Sequence, residues 1–264
     1  MQLSDFYGNT LLSLLNLGQI RKDSKILVVC GGTLDRDVLA NHGFVDVVIS
    51  NLDTRTQPDA FAPFGWSLQD AEQLGYEDDS FDFVIEHNGL HHCRSPHAGL
   101  LEMYRVAREG ILVFEPLDNL TTRLGMQLGL GQEYEIAAVA GNDFRFGGVR
   151  NSEIPNFVYR FTEREVVKTI STYAPHTKDK FRFFYALRLP WDQLRMRKNK
   201  LRFVIVMLAY PFIKAMTTMF RRENNNFAFA VLKSSPSHAV HPWLEVNDGK
   251  VILNRKWVQE VYRP

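Results

Sequence analysis

The sequence predicts a doubly wound α/β fold, a mostly parallel sheet with helices on both faces. Three observations predict it. Residues 25–29 are a short apolar run that ends in Cys30-Gly31-Gly32, followed by helical spacing and a second apolar run at 45–49. That is strand, turn, helix, strand, the unit that joins parallel strands by a right-handed crossover. The same alternation continues to Phe114. Finally, 264 residues with 45% hydrophobic and 23% charged side chains supply a core for one large domain.

Each element has its own signal. Leu3, Tyr7, Leu11, Leu14 and Leu15 recur at helical spacing, so the chain opens with an amphipathic helix. After the first strand, Asp35 reads as the N-cap of a helix that ends near His42-Gly43. Residues 64–68 form a third strand and 81–85 a fourth. A helix over 96–108 starts with a proline in its first turn, and 110–114 is the fifth strand. From 117 to 160 glycines punctuate an irregular stretch, which reads as a lid or binding loop. Thr162 and Glu165 have capping-box spacing for a helix to 172. Residues 181–189 and 227–232 alternate like strands, and Asn247-Asp248-Gly249 reads as a hairpin turn near the end. The domain expectation is a main unit over 1–233, with the lid at 117–160, and an extension over 234–264.

Bulk properties exclude some functions. A formal net charge of +1 gives no field to gather nucleic acid, so none is expected as a partner. Two cysteines, Cys30 and Cys93, make no disulfide scaffold. The first residues lack a basic segment followed by a long apolar run, so a cytoplasmic location is expected. Residues 201–220 are strongly apolar and are flanked by Arg195, Arg197, Lys198, Lys200, Arg221 and Arg222. Lys214 and Pro211 interrupt them. Three readings stay open there: a buried or lid helix, a helix on a membrane surface, and a spanning helix.

The most specific stretch lies between 66 and 92. It reads Trp66-Ser67-Leu68-Gln69-Asp70-Ala71-Glu72-Gln73-Leu74, then Glu77-Asp78-Asp79-Ser80-Phe81-Asp82-Phe83-Val84-Ile85, then His87-Asn88-Gly89-Leu90-His91-His92. This resembles the class I S-adenosylmethionine-dependent methyltransferases, in the subgroup with the pattern GDAExLPFxDxSFDxVxxxxxLHH. The likeness runs in register over about 25–116.

The resemblance implies a Rossmann-like sheet of seven strands with an antiparallel hairpin at one edge, and S-adenosylmethionine as cofactor. It implies that Asp70 accepts from the adenine amino group and that the Ala71 backbone meets the ring. Asn51 or Asp53 would hold the ribose. Gly31 and Gly32 would lie beneath the amino-acid end, and His87 near the sulfonium. The chain departs from the family's D/E-x-G-x-G-x-G turn: Val28 stands for the acid, and Cys30 and Leu34 for two glycines.

Methyl transfer is an in-line displacement that needs acceptor and methyl held in line and water excluded. His87, His91 and Glu115 are the candidate bases for an acceptor hydroxyl. Each also has a structural role open to it, as a packed ring, a cap, or a partner for backbone amides. His91, His92, Cys93 and His97 match no standard zinc spacing, so no metal is expected. Under the lid, Tyr134, Phe144, Phe146, Phe157 and Tyr159 are candidate pocket walls, and Arg145, Arg150 and Arg160 candidate partners for a carboxylate or phosphate.

The expected function is methyl transfer to an oxygen or nitrogen of a small-molecule acceptor, such as a sugar or a biosynthetic intermediate. Two alternatives stand beside it. One is a non-catalytic methyltransferase-like binding protein, motivated by the altered turn. The other is a membrane-surface methyltransferase with a lipid-linked acceptor, motivated by 201–220.

Overall fold

The computed structural model describes residues 3–189, 191, 200–234 and 240–263. The basic flank Arg195, Arg197 and Lys198 and the linker at 235–237 lie outside the described residues. The elements run α1 (Leu3–Asn16), β1 (Ile26–Val29), α2 (Thr33–Asn41), β2 (Val47–Asn51), β3 (Gly65–Leu68), β4 (Phe81–His87), α3 (Pro96–Val106) and β5 (Ala107–Pro116). Then come α4 (Leu120–Gln127), α5 (Ile136–Gly141), α6 (Glu163–Tyr173), β6 (Lys180–Ala186), α7 (Lys200–Met219) and β7 (Asn226–Leu232). A separate hairpin, β8 (Leu244–Asn247) and β9 (Lys250–Leu253), precedes α8 (Arg255–Tyr262).

Among the described residues the main sheet has seven strands in the order β3-β2-β1-β4-β5-β7-β6. All neighbours are parallel except β7, which pairs antiparallel with both β5 and β6. The order reverses between β1 and β4. In open α/β sheets that switch point leaves a crevice at the carboxyl ends of the strands, where ligands bind.

The predicted fold and its edge hairpin are therefore what the structure has. β1 and β4 are buried along their lengths apart from the half-buried His87, because helices cover both faces. On one face Phe6, Tyr7, Leu11 and Leu14 of α1 pack with Val28, Ile85 and Phe114. On the other, Leu100, Met103 and Val106 of α3 and Val166 and Ile170 of α6 pack with Leu27, Val84 and Val113. The Thr162 hydroxyl accepts the Glu165 N–H at 3.1 Å and the Glu165 carboxylate accepts the Thr162 N–H at 3.3 Å, the capping box expected there. A cap of this kind contributes roughly 1 kcal/mol.

Three local expectations change. Asp35 is not the N-cap of α2: Gly32 is, and Asp35 sits three residues on, where its carboxylate accepts the Gly32 N–H at 2.8 Å. The acid serves the same orphan donors from inside the first turn. The stretch 117–160 is not irregular throughout, since α4 and α5 lie within it, but both are short, and neither has more than one buried residue. Finally, no helix among the described residues is long and apolar enough to cross a membrane.

Candidate active site

A cleft of about 770 Å³ opens at the switch point. That volume counts the space open to solvent at the mouth as well as the sheltered part. One wall is the sheet edge: Cys30 after β1, Asn51 to Asp53 after β2, Gln69 to Glu72 after β3, and Asn88 and Gly89 after β4. The facing wall is lid backbone and side chain, Gly147, Gly148, Arg150 and Asn151, with Arg55 beside it. His92 and Cys93 also line the cleft.

The sheet-edge wall is fixed by hydrogen bonds. The Gly31 N–H donates to Ser50 O at 2.9 Å, and the Asn51 amide donates to Gly31 O at 2.9 Å. The Asn51 side-chain oxygen accepts the Asp53 N–H at 3.0 Å. So the nitrogen end of the Asn51 amide ties the glycine turn to β2, and its oxygen end holds the start of the next loop. Gly31 packs tightly: a Cβ there would stand 2.7 Å from Val28 Cγ1 and 2.8 Å from Ile49 Cγ2. Beside Gly32 the same position is open, with no atom within 4 Å. Cys30 has φ of +54°, the left-handed region that glycine enters without strain. That is the physical reason for the glycine that the family pattern has at this position. The Cys93 thiol and burial together push the Cys30 thiol well above its ordinary pKa.

Asp53 carries an Arg55 guanidinium at 2.5 Å, and this hydrogen bond holds its carboxyl below the usual range. Asp70 lies in the wall with Ala71 behind it, and its carboxylate meets Arg150 Nη2 at 2.6 Å. Arg150 also reaches Glu72 at 3.4 Å. The lid is thus drawn onto the acidic strand β3 end by one arginine.

At the inner end lies a buried chain of titratable groups. Glu86 on β4 accepts the Gly89 and Leu90 N–H groups. Burial and the neighbouring Glu115 push its pKa well up. Glu115 on β5 accepts from His91 twice, from the backbone N–H at 3.2 Å and from ring Nδ1 at 2.6 Å. His91 Nε2 and His92 Nε2 each lie 3.3 Å from Glu135 Oε2. Burial opposes charge on His91, but the Glu115 and Glu135 carboxylates outweigh it and raise the ring to about 10. Burial and the neighbouring His91 lower His92.

The matching family model is a methyltransferase domain, aligned to residues 28–114. That match covers about a third of the chain and includes most of the sheet-edge wall, which is therefore similar to methyltransferase domains. Among curated proteins no sequence matches it. Solved structures share the methyltransferase fold at low identity. A SAM-dependent methyltransferase from Thermotoga maritima is 13% identical with a TM-score of 0.50, covering 88% of this chain and 92% of that one. The YcgJ protein from Bacillus subtilis is 13% identical at 0.52, covering 85% and 98%. Magnesium protoporphyrin IX methyltransferase from Synechocystis, solved with bound SAH, is 14% identical at 0.52, covering 86% and 82%.

In this chain the structure brings Asn51, Asp53, Asp70 and Ala71 together in one wall, with Gly31 and Gly32 in the turn behind Cys30. Leu34, on the exposed side of α2, is not in the wall. The three candidate bases stand back from it. The His87 ring stacks on Tyr7 of α1 with centroids 5.0 Å apart, and burial lowers its pKa to about 4. Asn88, one residue on, is what reaches the cleft from β4. His91 and Glu115 are buried against each other one layer behind the wall, with His92 in front. None of the five lid aromatics lines the cleft, and Arg160 is held by the Val158 and Gln132 carbonyls at 2.9 and 2.8 Å.

Sequence reasoning missed Glu86 and Glu135. Glu86 carried a signal, a charged residue inside the apolar run 81–85 and its continuation. Glu135 carried none, because only the folded lid puts it beside His91.

Proposed function

We propose that this methyltransferase binds S-adenosylmethionine along the sheet-edge wall and transfers its methyl group to an oxygen or nitrogen atom of a small-molecule acceptor admitted under the lid. The observation that carries the reading is the cleft itself. It sits at the switch point, and its wall combines Asp53, Asp70 and Ala71 with an open face beside Gly32. Those residues fit the cofactor: a carboxylate for an exocyclic amine, a carboxylate for hydroxyls, and a small buried side chain beneath a flat ring. Between the two ribose candidates, Asp53 is favoured, since both ends of the Asn51 amide are engaged by backbone groups, at Gly31 and at Asp53.

When bound, the cofactor supplies a methyl group already activated by a positive sulfur. The protein's own part is to orient and to exclude water. Arg150 and the glycines 147 and 148 cover the cleft. His92, at its inner end, lies nearest an acceptor, with its ring centroid 4.6 Å from that of the buried His91. A low net charge and a cleft partly covered by the lid favour a small acceptor, such as a sugar or another biosynthetic intermediate. A lipid-linked acceptor is the second reading. Ile205, Leu208, Phe212 and Met219 of α7 are exposed, which suits attachment to a membrane surface.

The test is calorimetric titration with S-adenosylmethionine and S-adenosylhomocysteine, beside an Asp70→Ala variant. Micromolar binding that the variant weakens at least tenfold, about 1.4 kcal/mol, is the expected result. No heat from folded protein would return the chain to the non-catalytic reading.

A further inference from the structure

We propose that His91, His92 and Glu135 bind a divalent transition-metal ion at the inner end of the cleft. The three donor atoms, two imidazole nitrogens and one carboxylate oxygen, lie within 4.8 Å of one another. Two of the three edges, from Glu135 Oε2 to each Nε2, are 3.3 Å. Ligands bonded at about 2.0–2.2 Å and tetrahedral angles stand about 3.3–3.5 Å apart, so these edges have the length a shared ion needs. An ion pair without metal has a different length. Charge-assisted N–H to oxygen bonds close to about 2.7–2.9 Å. His91 makes such a bond on its other side, 2.6 Å to Glu115, and does not make one to Glu135.

The outer contacts are those of a built site. Each ring turns Nδ1 to an acceptor, His91 to Glu115 and His92 to the Gly148 carbonyl at 3.4 Å. A proton held on Nδ1 leaves the lone pair on Nε2, aimed at the common centre. Glu135 is placed as firmly: its N–H donates to Asn156 O at 3.0 Å, while the Asn156 amide donates to His91 O at 3.1 Å and approaches Glu135 Oε2 at 3.4 Å. The histidines come from the turn after β4 and the acid from the lid, so the ion would clasp lid to sheet.

Two imidazoles and one carboxylate suit zinc, iron, cobalt or nickel; magnesium and calcium take oxygen ligands. Three protein ligands leave a position open, and His92 and Gly148 border the cleft there. If the proposed reaction is right, that position holds an acceptor oxygen; the metal site itself does not depend on it.

The experiment uses the full chain stripped with a chelator and titrated with Co2+, following visible absorption, with metal content counted after desalting. The expected result is one saturable ion per chain with a four- or five-coordinate spectrum, displaced by Zn2+. Glu135→Gln and His92→Ala should weaken binding at least about 100-fold, and Glu115→Gln, which touches no metal, by about 10–100-fold. His97→Ala, whose ring pairs with Glu165 at 2.6 Å, should change nothing. Circular dichroism checks that each variant folds. Absence of a saturable cobalt spectrum in the folded wild type overturns the proposal, as does binding that survives in Glu135→Gln and His92→Ala. Titration of the same stripped protein with S-adenosylhomocysteine separates this outcome from failure of the methyltransferase reading.

Discussion

The two walls of the cleft are built by different physics. The sheet-edge wall rests on buried strands, and its turn is held by short-range backbone bonds such as Gly31 to Ser50. The lid wall rests on charged and polar contacts between distant segments. Arg150 holds Asp70, Arg55 reaches Asn142 at 3.0 Å, and Asn156 reaches His91. α4 has no buried residue at all. A wall of the first kind resists change and keeps its geometry without ligand. A wall of the second kind opens at little cost.

Three experiments sharpen that contrast. The largest effect is expected behind the sheet wall, at His87. Burial, aided by Arg188, depresses its folded pKa from 6.5 to about 4. A depressed histidine contributes stability that is present above 6.5 and lost as pH falls through 4. Over that window the wild type should lose about 3 kcal/mol relative to His87→Phe, read as the gap between two urea-unfolding curves. Asp35, which burial raises to about 6, works in the opposite direction, but it is common to both proteins and cancels. Parallel pH profiles would show that the imidazole is not buried as described.

Next comes a matched pair of glycines. In Gly31→Ala the new methyl meets two branched side chains of buried strands, so about 1–3 kcal/mol of stability should go, with a melting temperature several degrees lower. In Gly148→Ala the methyl runs into the Ile154 carbonyl, so the lid turn must rearrange. There the melting temperature should hold while S-adenosylhomocysteine affinity falls about tenfold. Equal melting shifts in the two variants would erase the distinction between the walls. The smallest effect belongs to Arg150→Ala. Its ion pairs are part-exposed, so stability should move by less than about 1 kcal/mol. Freed Asp70 should bind the cofactor up to about fivefold more tightly. A weaker complex would show instead that Arg150 itself holds the ligand.

The same contrast governs what the sequence made legible. Strands β1 to β5 and the helices between them follow from local patterns, because a buried parallel strand must be apolar along its length, whereas the wall residues Asn51, Asp53, Asp70 and Ala71 came from the family resemblance that the stretch 66–92 carries. The lid follows no local pattern. Its two short helices are set by contacts across dozens of residues, and Glu135 meets His91 both directly and through Asn156. Register misled in one more way. His87 ends its strand as expected, yet its ring turns toward Tyr7, and Asn88, with φ of +56°, faces the cleft.

The antiparallel strand β7 also fixes the order of assembly. It is the last strand of the main sheet to be synthesised, yet it lies between β5 and β6, pairing with both over its full length. While a ribosome makes residues 187–225, β5 has one bare edge and β6 has no partner in this sheet. Long-range pairing of this kind is slow, and unpaired edges invite association with other chains. The nascent protein therefore depends on protection until Leu232 emerges, and a message truncated before Asn226 should yield aggregate rather than a smaller enzyme.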